Sequence, residues 1–187
     1  MATKFEAEAC AISGANNYFE GQVSQTALAM ADLCWEIVKH KASAALDAVH
    51  SSKVNQAFED VVEATVLLSG LGFENGGLAA AHAVSSGLTV LNQTQGALHG
   101  EMVAFGLLVQ FILEKRSQQF MHDMLSFYQK IGLPTTLAKL GIDAPSSEML
   151  APAIEAICKP TSTIGNMPFE IKSEMVEKAI LRVDNFG

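Results

Sequence analysis

At 187 residues, with 20 acidic against 12 basic side chains and a formal net charge of −8, the chain is long enough for one sizeable core and too acidic to hold nucleic acid or an anionic membrane surface. Hydrophobic residues make up 49% and charged ones 17%, which requires either a large core or apolar surface covered by a partner. The three cysteines are odd in number and include no CxxC pair, so they indicate neither a disulfide framework nor a thiolate zinc site and fit a reducing cytoplasm.

The opening segment MATKFEAEAC carries acidic residues and no long apolar stretch, so no signal peptide is expected. No run of about 18 apolar residues occurs anywhere, so no membrane span is expected either. After a break at Gly14, Ser24 is placed to cap a helix with Ala27, Met30, Ala31, Cys34 and Val38 on one face. Ser51-Ser52 ends that segment, and Val54, Ala57, Phe58, Val61, Val62 and Thr65 resume the helical spacing. Gly70 to Gly77 forms the next break. A short helix of small residues around His82 comes next, closed by Gly87. The Gln95-Gly96 pair precedes a long apolar helix that starts near Gly100 or Glu101 and carries Met102, Phe105, Gly106, Val109 and Leu113 on one face. Met121, Met124, Leu125 and Tyr128 repeat in the same way. So do Leu150, Ile154 and Ile157, and, after Ser173, Val176, Ala179, Ile180 and Val183. Breakers at Gly132 to Pro134, Pro145, and Pro160 to Pro168 separate these segments. There is no β-alternation, no internal repeat and no low-complexity linker. The pattern predicts one all-α domain over residues 1–187, a bundle of about seven to nine helices.

The stretch GLGFENGGLAAAHAV invites comparison with a dinucleotide-binding loop, which needs G-x-G-x-x-G between a strand and a helix. Gly70 and Gly72 fit that register, but the third position is Asn75 and the preceding segment has helical periodicity. The stretch is therefore read as a helix that starts at Gly76 under an Asn75 cap. Its small residues let another backbone or a flat ligand come close to His82. The alternative is tight helix packing with His82 hydrogen-bonded in the core.

His99, in ALHGEMVAFGLLVQ, falls at the start of the long apolar helix, where the positive end of a helix dipole favours the neutral imidazole that metals bind. Glu101 is either a partner that orients this imidazole or an ordinary acidic residue of a first helical turn. His82 and His99 lie too far apart for the i, i+4 spacing of a one-helix metal pair. Successive helices can still turn both side chains toward one point, although two histidines are too few for a catalytic zinc site, which wants three protein ligands. His40, His50 and His122 lie in polar stretches and are expected to be solvated.

The segments SGLGFENGGLAAAHAVSSGLTVL and LHGEMVAFGLLVQFILE resemble the C-terminal half of bacterial glycerol dehydrogenases, zinc-dependent members of the iron-containing alcohol dehydrogenase superfamily. FEAEACAISGANN, QTALAMADLCWE, IGLPTTLAKLGI and TIGNMPFEIKSEMV extend the resemblance over most of the chain. The resemblance implies a zinc ion held by one aspartate and two histidines, the latter matching His82 and His99. The family's aspartate would fall just before Met1, and the nucleotide-binding α/β domain before that, so both are expected to be absent from these 187 residues. Iron-type relatives add a histidine shortly after the aspartate; that position is Thr3 here, which favours the zinc-dependent branch. Phe73 is placed near the substrate by resemblance, or is a core aromatic.

The implied reaction is oxidation of glycerol to dihydroxyacetone with reduction of NAD, in a cytoplasmic protein whose relatives form homo-oligomers. A chain lacking one ligand and the cofactor domain is expected to bind zinc weakly and to be inactive alone. The competing readings are half of a split enzyme that needs a separate N-terminal chain, and a non-catalytic helical module whose apolar face binds a partner. A lyase of the dehydroquinate synthase type is a further member of the same superfamily.

Overall fold

Helices account for every regular element of the computed structural model, which describes residues 1–186; no strand occurs among them. The helices are α1 (Ala2–Ser13), α2 (Gln25–Ser51), α3 (Gln56–Glu63), α4 (Ser69–Gly76), α5 (Ala80–Leu88), α6 (His99–Leu113), α7 (Gln118–Ile131), α8 (Ser147–Ile157) and α9 (Ser173–Asp184). A π-helical turn, Ala64–Leu68, joins α3 to α4. 3₁₀ turns lie at Asn92–Gly96, Ala138–Leu140 and Thr163–Asn166. The predicted all-α class is what the structure shows. The chain divides into two compact units, Met1–Leu78 and Ala79–Gly187. No described helix is long and apolar enough to cross a membrane.

In the first unit, Ser24 Oγ accepts from the Ala27 N–H at 3.0 Å and opens α2 at the predicted cap. Ala27, Ala31 and Cys34 are buried on its inner face, as their spacing requires. Asn55 Oδ1 caps α3 in the same way, accepting from Phe58 N–H at 2.8 Å. Cys34, Ala64 and Leu68 form a core cluster with Met30, Ile37 and Val38. Helix α4 lies close on α1: a Cβ on Gly72 would sit 2.8 Å from Thr3 Cγ2, and one on Gly76 2.6 Å from Ala7 Cβ. Thr3 is thus packed, and its hydroxyl lies 3.2 Å from Ser69 Oγ.

Two thiols of this unit are buried. Cys10 Sγ donates to Leu78 O at 3.2 Å, and burial pushes its pKa up to about 12; burial also raises that of Cys34. A thiol that stays protonated when folded but ionises near 9.0 when unfolded favours the unfolded chain as pH rises. Stability should therefore fall by up to about 1.4 kcal/mol per pH unit for Cys10 above that value. We expect native-state alkylation to reach only the partly exposed Cys158, with Cys10 and Cys34 reacting after unfolding. Cys10 labelling as fast as Cys158 at pH 8 would contradict its burial.

In the second unit α6 is the central helix, buried continuously from Met102 to Phe111. It packs against α5 and α9, and α5 packs against α8. The fully buried Tyr128 on α7 donates its hydroxyl to Ala104 O at 2.9 Å, and burial pushes its pKa far above the ordinary phenol value. Asp184 Oδ1 accepts from Leu137 N–H at 2.7 Å and fixes the end of α9.

Candidate metal centre

The glycine stretch is not a phosphate loop: Gly70 to Gly76 lie inside α4, and the π turn rather than a strand precedes it. The predicted Asn75 cap is also absent. Asn75 is a helical residue of α4, and its Nδ2 donates back to Leu71 O at 2.9 Å. The break falls instead at Gly77, whose φ of +83° suits glycine and where a Cβ would meet Cys10 Sγ at 2.9 Å. The next helix consequently starts four residues later than Gly76, at Ala80, with Ala79 in the cap position and no capping side chain of its own.

His82 is therefore in the first turn of α5, half-buried, with Ala79, Ala80, Ala81, Ala83 and Val84 buried around it. His99 is the first residue of α6 and is exposed. That helix starts one residue before the predicted position because Leu98 takes the cap position. Glu101 Oε2 accepts from Leu98 N–H at 2.8 Å. Glu101 is thus a capping residue of the first turn. His40, His50 and His122 are exposed, as expected, and His40 Nε2 lies 3.2 Å from Glu36 on the same helix.

The structure brings together His82 and His99. Their ring centres are 5.7 Å apart and their planes meet at 50°. With Zn–N bonds of about 2.1 Å and about 1.1 Å more to each ring centre, two imidazoles at a tetrahedral angle would have centres about 5.3 Å apart. The separation of the ring centres is within a few tenths of an ångström of that value. No group of three His, Cys, Asp or Glu side chains that could hold a metal ion exists among the described residues.

Two features hold Ala81, the residue before His82, and sequence reasoning missed the role of both. Gln110 is a fully buried side chain of α6, and its Oε1 accepts from the Ala81 N–H at 3.1 Å. One turn earlier on α6, a Cβ on Gly106 would lie 2.3 Å from Ala81 O. A lone glutamine in the apolar run GLLVQFIL was the signal available for the first of these. Phe73 belongs to the first unit. It is half-buried on α4 and packs edge-on against Tyr18, with ring centres 6.2 Å apart.

No protein-family model matches the chain. It is 42% identical over 187 residues to a glycolaldehyde reductase from Halobacterium salinarum, covering all of this chain and 51% of that protein. It is 43% identical to a glycerol dehydrogenase from Thermotoga maritima, with the same coverage. The crystal structure of a probable glycerol dehydrogenase from Sinorhizobium meliloti 1021 superposes with a TM-score of 0.95 at 39% identity, over 99% of this chain and 52% of that one. The chain spans about half the length of the curated relatives it matches.

Proposed function

The chain is homologous to glycerol dehydrogenases along its whole length, and from that relationship we propose that it is the metal-ligating C-terminal half of an NAD-dependent glycerol dehydrogenase. The observation that carries this reading is the approach of the His82 and His99 rings from two successive helices. In this role the two imidazoles hold a zinc ion that a carboxylate from outside the described residues completes. The nicotinamide site also lies outside them.

The reaction removes a proton and a hydride from the secondary alcohol of glycerol, giving dihydroxyacetone and NADH. Zinc, when bound, supplies the acidification of the alcohol, as it lowers the pKa of coordinated water from about 15.7 to about 7. What this chain contributes is placement. The small residues flanking His82 let α5 and α6 come close enough for two ligands on separate helices to converge. Both ligands lie at helix starts, where each backbone is fixed by its first turn.

The test measures NAD reduction with glycerol and added zinc. The chain alone should be silent, and mixing it with a separately made N-terminal half of a glycerol dehydrogenase should restore turnover. Turnover by the chain alone, or none in any mixture that forms a complex, would overturn the proposal.

Exposed apolar residues favour a second reading, a helical module that binds a partner or a further copy of itself. Tyr18, Phe19 and Val66 are 70%, 63% and 76% exposed. Undiminished partner binding by a His82→Ala, His99→Ala double variant would support it.

A further inference from the structure

We propose that Gln110 is a positioning residue for His82, a role that rests on reading the histidine pair as metal ligands. Helix α5 begins in a buried segment, Ala79 to Ala81, that water does not reach. Its cap residue, Ala79, has no side-chain oxygen to offer. Gln110 supplies an acceptor from another helix, its Oε1 taking the Ala81 N–H at 3.1 Å.

The amide of Gln110 cannot turn over to do otherwise. Its Nε2 donates to Glu114 Oε1 at 2.9 Å, and Glu114 Oε2 accepts from Arg116 Nε at 2.7 Å. An amide rotated by 180° would set donor against donor at Ala81 and acceptor against carboxylate at Glu114. The relay through Arg116, Glu114 and Gln110 thus fixes the carbonyl oxygen toward the residue preceding His82.

The other side of Ala81 is gripped by the same helix, since its carbonyl oxygen lies against Gly106. His99, Gly106 and Gln110 follow helical spacing on the face of α6 that meets α5. One helix therefore carries one imidazole and holds the residue next to the other. Helix α6 thus bears on the placement of both rings. Thr163 Oγ1 adds a bond to Ala79 O at 2.8 Å, which secures the entry to α5 but leaves Ala81 to Gln110.

The experiment compares the full chain with Gln110→Met, which keeps the length and removes the polar atoms, and with Tyr128→Phe, which removes a different buried hydrogen bond to the same helix. Zinc affinity is measured by competition with a chromophoric chelator, melting temperature by calorimetry, and ring proximity by the nuclear Overhauser contact between the His82 and His99 imidazoles. Loss of a partner bonded to the metal ligand itself typically costs about 10–100-fold in affinity, and Gln110 bonds the residue before the ligand, so the lower end of that range is expected. Gln110→Met should weaken zinc about tenfold and diminish the contact between the rings, whereas Tyr128→Phe should lower the melting temperature and leave both unchanged. Equal effects of the two variants on affinity, or an undiminished ring contact in Gln110→Met, overturn the role. If the unmodified chain binds no zinc, the metal reading fails. The ring contact, which needs no metal, then decides by itself whether Gln110 positions His82.

Discussion

Gly106→Ala is expected to lower the melting temperature by about 5–10 °C, although alanine is the better helix former. In an exposed helix the change would gain about 1 kcal/mol. Here the new Cβ would stand 2.3 Å from the Ala81 carbonyl oxygen, a backbone atom that no side-chain rotation can move away. Helix α5 would have to retreat from α6 by about 1 Å, and overpacking of this kind costs about 1–3 kcal/mol or more. The displaced residue is the one before His82, so zinc binding should weaken alongside stability. Gly100 provides the control. It lies on the same helix beside His99, with nothing within 4 Å of the place a Cβ would take, and Gly100→Ala should be neutral or stabilising. A Gly106→Ala chain that melts with or above the unmodified one would show that the close approach of α5 and α6 is not required.

On the proposed reading, His82→Ala should reduce zinc affinity by at least about a hundredfold, more than the loss of an outer partner would cost, because it removes one of the two imidazoles that reading assigns to the metal. His99→Ala should do the same, and the double variant should bind no more weakly than either alone. The metal-free melting temperature should stay within a few degrees in each case. His82 is only half-buried, His99 is exposed, and alanine suits a first helical turn. His40→Ala, on an exposed face of α2, should leave binding unchanged. Zinc binding that survives in both single variants would place the metal elsewhere on the chain.

The helical class was legible because apolar spacing repeats along nearly the whole sequence, and Ser24 marked the start of α2 because its capping bond is local. The segment around His82 was less legible. Asn75 has the chemistry of a cap, but a cap requires an extended backbone, and the chain stays helical to Gly76. The real start of α5 takes its acceptor from Gln110, far along the sequence, so no local signal marks it. His82 and His99 could be named from sequence, while their approach to 5.7 Å depends on Gly106 admitting the Ala81 carbonyl. Glu101 offered two roles, and the backbone amide of Leu98 selects the capping one.

The π turn at Ala64–Leu68 sets a phase. An α-helix advances about 100° per residue, so a wider turn inserts an angular offset between the helix before it and the helix after it. Were those five residues wound as ordinary α-helix, α4 would be rotated by about that angle on its own axis. Gly72 and Gly76 would then swing away from Thr3 and Ala7, and the preceding residues, Leu71 and Asn75, would arrive where a single Cβ already has no room. The irregular turn is the gear tooth that keeps the glycines of one helix meshed with the small residues of another.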